Sequence, residues 1–179
     1  FDLVELPGNE EHEKSFIAPL AKVLVVDDNI TNIKVARGIL TMYQVRVDTA
    51  SSGAECLQKI AKNRYNMIFM DQMMPEMDGI ETTKLIRLSS DPEVRNLIVI
   101  ALTANAISGT KEMFLKSGFQ DFIPKPINLS DIETVLKKFL PADYIHMVYK
   151  SDDTDYSDAV ISLPYVDVEK GLANYGNDK

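Results

Sequence analysis

Four short apolar runs in this chain each end in a polar group suited to holding charge. Lys22-Val23-Leu24-Val25-Val26 leads into Asp27-Asp28, and Asn66-Met67-Ile68-Phe69-Met70 leads into Asp71. Leu97-Ile98-Val99-Ile100-Ala101-Leu102 leads into Thr103, and Asp121-Phe122-Ile123-Pro124 leads into Lys125-Pro126. The stretches 23–26, 67–70 and 97–102 are continuously apolar, as central parallel strands covered on both faces must be. If the four runs are parallel strands of one sheet, chain direction alone gathers their terminal acids, hydroxyl and ammonium on the carboxyl edge. In open α/β sheets that edge is where ligands bind.

Helical patterns separate the runs. Ile33, Ala36, Leu40 and Tyr43 recur at spacings of three to four, which predicts a helix with one apolar face. Val45–Thr49 alternates and predicts the second strand in chain order. Ser52-Gly53-Ala54-Glu55 has capping-box spacing, with Ala54, Leu57, Ile60 and Ala61 as the expected buried face. Asp78 is placed to cap a helix over 79–88, and 89–92 reads as a loop. A helix from about Asn105 to Lys116 is expected to stop at Gly118. The last helix carries Leu129, Ile132, Val135, Leu136 and Phe139, with Asn128 as its cap and Pro141 as its stop. Five strand–helix units predict an open doubly wound α/β sheet with right-handed crossovers.

The net charge of −8 belongs to the flanks. Residues 1–19 hold five acids and one base, and residues 151–179 hold seven acids and two bases. Residues 20–150 hold fifteen acids and sixteen bases with no basic stripe, which excludes nucleic-acid binding as this segment's business. The flanks read as solvated linkers over 1–19 and 142–164. One cysteine, Cys56, allows no internal disulfide and fits a reduced, cytoplasmic setting. No apolar stretch reaches the roughly 20 residues of a membrane helix, so no membrane contact by this segment is expected. Phe1 in place of an initiator Met suggests a piece of a longer protein.

Carboxylates crowded in one crevice repel, and a cation relieves them most simply. Mg²⁺ takes hard oxygen ligands, one or two of them carboxylates, which Asp27, Asp28 and Asp71 can supply. A carboxylate can also act as a nucleophile and form an aspartyl phosphate. Asp71, alone at the end of its strand, is the candidate. Lys125 and Thr103 can then share the oxygens of a transferred phosphoryl group, since phosphoryl transfer is mostly positioning and charge neutralisation.

The segments Val25–Asn29, Met70–Gly79, Ala101–Ala106 and Phe122–Ile127 resemble the receiver domains of bacterial response regulators. The resemblance covers about residues 20–141. It implies a flavodoxin-like fold with five parallel strands in the order 2-1-3-4-5, flanked by five helices. It implies that Asp71 takes phosphate from a phosphohistidine. Asp28 and Asp71 then ligate Mg²⁺ (with Mn²⁺ able to substitute), the backbone carbonyl of Met73 is a third ligand, and Asp27 acts largely through water. Thr103 and Lys125 bind the phosphoryl oxygens. A cis Lys125–Pro126 bond is implied as well. For switching, the resemblance implies that Thr103 moves toward the phosphate and that Phe122, where many relatives have Tyr, turns inward behind it. Small Ala104 should leave the phosphoryl group open, and Met73 and Asn105 should tune self-dephosphorylation. Pairing of two copies through the fourth helix, fifth strand and fifth helix is another family possibility.

The runs Leu102–Ala106 and Asp71–Pro75 look most like receivers of hybrid sensor histidine kinases. Phe1–Pro7 is similar to the closing strand of a kinase ATP-binding domain, and Asp167–Asn177 resembles the opening of a histidine phosphotransfer domain whose histidine lies past Lys179. His12 and His146 read as solvent-exposed bystanders. The expected partners are therefore a histidine kinase core and a histidine phosphotransfer domain, the parent chain being a phosphotransferase with room for a membrane anchor outside this piece, while this piece catalyses only its own phosphorylation and dephosphorylation. Two other readings stay open. A stand-alone regulator calls for a basic output domain, where this tail is acidic. A dehalogenase-like phosphatase calls for a second Asp two places after the nucleophile, where this chain has Met73.

Overall fold

The computed structural model describes residues 16–104 and 110–148. In chain order the strands are β1 (Phe16–Ile17), β2 (Lys22–Val26), β3 (Arg46–Ala50), β4 (Met67–Asp71), β5 (Ile98–Thr103), β6 (Asp121–Pro124) and β7 (His146–Met147). The helices are α1 (Ile30–Met42), α2 (Gly53–Ile60), α3 (Gly79–Arg87), α4 (Pro92–Arg95), α5 (Thr110–Lys116) and α6 (Leu129–Phe139). Five strands form one parallel sheet in the order β3-β2-β4-β5-β6. Counted from the first strand of that sheet, this is the expected 2-1-3-4-5.

Register is what positions the site. Val26 pairs with Met70, Asp71 with Leu102, and Thr103 with Pro124. Asp27 and Asp71 therefore leave the sheet at one level, with Thr103 one residue and Lys125 two residues further along. Alternation along each strand splits the core in two. Val23, Val25, Met67, Phe69, Ile100 and Leu102 face α1 and α6, while Leu24, Val26, Ile68, Met70, Val99 and Ala101 face the side of α2, α3 and α5. Side-chain caps begin the helices as expected: Ser52 accepts from the Glu55 N–H, Asp78 from Glu81 and Asn128 from Asp131. Gly118, at φ +96°, closes the turn after α5.

Three features differ from the sequence-based expectation. Residues 16–19 and 142–147 are part of the folded unit, beyond the expected 20–141. Phe16 is fully buried, stacked on Tyr43 at 4.8 Å between centroids, and β1 pairs antiparallel with β7. The buried face of α2 is Gly53, Cys56 and Ile60, not a face containing Ala54 and Ala61, which are exposed. The stretch after Asp91 forms the short helix α4, with Asp91 accepting from the Glu93 N–H and Pro92 in the first turn. The expected helix start at Asn105 and the readings on 1–15 and 149–179, including His12, fall outside the described residues. Among the described residues no helix is long and apolar enough to cross a membrane.

Candidate functional site

Asp27, Asp28 and Asp71 converge at the carboxyl edge of β2 and β4, each with a carboxylate oxygen within 4.8 Å of the others'. Asp27 and Asp71 are buried, and Asp28 faces solvent. Lys125, from the turn after β6, places its Nζ 2.8 Å from Asp27 Oδ2 and 2.9 Å from Asp71 Oδ1. One ammonium thus bridges two buried carboxylates that would otherwise repel. Burial is the largest influence on the Asp71 carboxyl and pushes it above the usual range; Lys125 opposes that rise, and the Asp27 charge adds to it. Burial alone would lower the Lys125 ammonium, but the two carboxylates more than offset it and hold its pKa above the ordinary value.

Asp27 is held from several sides. The Asn29 N–H donates to its Oδ1 at 2.8 Å, and the Asn32 side-chain amide donates to both carboxylate oxygens at 3.1 Å. The Met73 N–H donates to Asp71 Oδ1 at 3.4 Å, so the peptide after Gln72 turns toward the acid. Thr103 is fully buried, and its hydroxyl donates to Gln72 Oε1 at 2.7 Å. An open cleft of about 540 Å³ beside Asp28 is lined by Gln72, Met73, Met74, Pro75, Asp78 and Ile80. The donor set fits a divalent cation: three hard carboxylates converge, one of them solvent-facing, and an ammonium already occupies the position of a counter-charge.

Residues 23–137 match the family model described as the response regulator receiver domain. The chain belongs to that family. Its receiver is 37% identical over 134 residues to hybrid signal transduction histidine kinase L of Dictyostelium discoideum, covering 73% of this chain and 8% of that protein. The chain spans 17% or less of the length of the first curated histidine kinases it matches. The receiver domain of sensor histidine kinase PA1611 from Pseudomonas aeruginosa PAO1, solved with a magnesium ion coordinated in the active site cleft, aligns with a TM-score of 0.60 at 31% identity. That match covers 66% of this chain and 96% of that one. The co-crystal structure of the Saccharomyces cerevisiae histidine phosphotransfer protein Ypd1 with the receiver domain of Ssk1 aligns with a TM-score of 0.62 at 28% identity, covering 70% and 91%.

The receiver brings Asp27, Asp28, Asp71 and Lys125 together as expected. The Lys125–Pro126 bond is cis. Phe122 is half-buried and stacks on Phe114, with centroids 5.9 Å apart. Ala104 is exposed next to Thr103, Met73 is exposed in the loop after β4, and His146 is exposed in β7. Asn105 lies outside the described residues. The residue pattern alone missed Asn32, Gln72 and Gly79. Asn32 had a weak signal, a polar side chain in the first turn of a helix that starts at the acidic edge. Gln72 had only its place beside Asp71. Gly79 is required by close approach: a Cβ there would sit 2.1 Å from the Asp71 carbonyl oxygen.

Proposed function

We propose that Asp71 is the phosphoacceptor of this receiver, taking a phosphoryl group from a phosphohistidine of a histidine kinase core and passing it to the histidine of a phosphotransfer domain. The convergence of three carboxylates and one bridging lysine at the carboxyl edge carries this reading. In the forward step the P–N bond of the donor breaks as a P–O bond to an Asp71 carboxylate oxygen forms. Asp28, Asp71 and the Met73 carbonyl would hold Mg²⁺, or Mn²⁺ in its place, with Asp27 acting through water. When bound, the ion neutralises charge on the phosphoryl oxygens. Lys125 exchanges its bond to Asp71 for one to a phosphoryl oxygen while Asp27 keeps it oriented. Thr103 donates its hydroxyl to another phosphoryl oxygen, and Phe122 follows it inward.

Several observations support the setting. Curated relatives are hybrid histidine kinases, one receiver relative carries magnesium in its cleft, and another structure pairs a receiver with a phosphotransfer protein. On this reading the parent chain is a hybrid kinase working on the cytoplasmic side, and 165–179 opens a phosphotransfer domain. Exposed Ile30 and Met73, both within three residues of a site carboxylate, offer apolar contact to such a partner. If two copies pair, the face that the family uses falls here on α5, β6 and α6.

Incubation with Mg²⁺ and acetyl phosphate, followed by intact mass, tests the acceptor. One phosphate is expected on the wild-type chain and none on Asp71→Asn. A gain that survives Asp71→Asn, or no gain on wild type, removes Asp71 from the role.

A further inference from the structure

The Thr103 hydroxyl lies 2.7 Å from Gln72 Oε1, and both groups are firmly placed. The Gln72 N–H donates to the Leu102 carbonyl at 3.0 Å, and the Gln72 carbonyl accepts from the Gly79 N–H at 3.0 Å. Its half-buried side chain therefore starts from a backbone fixed between β5 and the start of α3. The Thr103 carbonyl accepts from the Lys125 N–H at 2.7 Å, which ties its main chain to the segment that carries the lysine. Thr103 can redirect its hydroxyl cheaply only by rotating about χ1, among a few staggered wells. A rotation that aims the hydroxyl at a group on Asp71 breaks the bond to Gln72 and leaves a half-buried amide oxygen without that donor.

We propose that Gln72 is a positioning residue that holds the Thr103 hydroxyl in the unphosphorylated receiver and so sets the balance between resting and phosphoryl-engaged forms. This rests on Asp71 being the phosphoacceptor. A phosphoryl group biases that balance only by its differential interaction with the two forms, and the Thr103–Gln72 bond subtracts from that difference. One neutral hydrogen bond shifts such a ratio by roughly two- to tenfold. Gln72 thus acts as a brake on switching without touching the reacting atoms.

The test uses the 179-residue chain with Mg²⁺ and beryllium fluoride, a non-covalent phosphoryl mimic. Gln72→Met and Gln72→Leu keep the volume and remove the acceptor; Gln72→Glu keeps an acceptor. The apolar variants should bind the mimic roughly two- to tenfold more tightly than wild type. In the free protein, their Thr103 methyl resonance should move toward its position in the mimic-bound wild type. Gln72→Glu should leave that resonance at its wild-type position. If wild type binds, Asp71→Asn does not, and the apolar variants match wild type in affinity and resonance, the brake alone is overturned. If wild type fails to bind, or Asp71→Asn still binds, the phosphoacceptor reading falls and the brake with it. Loss of the fold in both apolar variants would make Gln72 a structural residue and likewise overturn the proposal.

Discussion

At the scale of single residues, the two glycines Gly38 and Gly79 show how one residue type carries opposite meanings. Gly38 sits exposed within α1, and a Cβ there would meet nothing within 4 Å. Gly79 opens α3 against the backbone of Asp71, where a Cβ would lie 2.1 Å from the carbonyl oxygen and 3.0 Å from Met70 Cγ. Gly38→Ala should therefore stabilise by about 0.5–1 kcal/mol, the conformational cost of a glycine in a helix. Gly79→Ala should destabilise by about 1–3 kcal/mol, since a backbone atom must give way. It should also slow phosphorylation by acetyl phosphate, because the carbonyl that must shift belongs to Asp71 itself. Paired urea melts and phosphorylation rates check both; a Gly79→Ala chain with wild-type values would remove the close approach from the account. The strand-end residues were legible in sequence because chain direction alone sends Asp27, Asp71, Thr103 and Lys125 to one edge. Asn32 and Gln72 were not, because an amide's reach to a carboxylate five residues back, or to a hydroxyl on the next strand, depends on rotamers that no spacing encodes.

Among the elements, α2 shows where periodicity stops being enough. Spacing allows Leu57 and Ile60 to share a face with either Ala54 and Ala61 or Gly53 and Cys56. Packing decides for the second, because Gly53 lies so close to α3 that a Cβ would sit 2.2 Å from Thr82 Oγ1. That rotation buries the thiol of Cys56, which burial, aided by the nearby Glu55 charge, pushes up to about 12. The cap is also altered from its expected form. Ser52 accepts from the Glu55 N–H, but the Glu55 carboxylate turns to the Ser51 N–H at 2.7 Å, with Lys59 at 3.0 Å. The Ser51 N–H first, then Lys59, depress the Glu55 carboxyl from 4.5 to about 2. A depressed acid contributes stability that is whole above its unfolded pKa and is lost as pH falls through the folded one. Glu55 should therefore support α2 fully above about pH 4.5 and lose that support between about 4.5 and 2. Half-exposure limits its worth to about 1 kcal/mol or less. Wild type should melt higher than Glu55→Gln at pH 7, with the gap closing below pH 3; a gap independent of pH would refute the charged cap. The short α4 was misread for a related reason. Asp91-Pro92 is a proper helix start, but four residues show no period.

Across the whole molecule, the least legible feature is the pairing of β1 with β7. Each strand has two residues, and their partners are separated by about 130 positions, so neither alternation nor turn chemistry announces them. Their acidic, aperiodic surroundings resemble linkers, which is why residues 16–19 and 142–147 read as chain outside the domain. The clue was Phe16-Ile17, which opens the apolar run Phe16–Ala21 directly after a polar stretch, and it is Phe16 that the fold buries completely, between the Tyr43 ring and the Lys137 ammonium 5.4 Å from its centroid. Ala18 adds a backbone bond to the Tyr43 carbonyl at 2.8 Å. These contacts gather at the amino ends of the parallel strands, where β2 begins and α1 has just ended, while the acids lie at the carboxyl ends. Five residues of β2 separate the two levels, roughly 17 Å at about 3.3 Å per residue. Stability and site chemistry should accordingly separate on mutation. Removing a buried aromatic ring costs about 3–5 kcal/mol, so Phe16→Ala should lose several kcal/mol in urea unfolding while Mg²⁺ affinity and the rate of acetyl phosphate labelling stay near wild type. A chain starting at residue 20 should behave like Phe16→Ala. Equal losses at both ends of the sheet would mean that the clasp reaches the phosphoryl edge, and that residues 16–19 belong to the switching unit as well as to its stability.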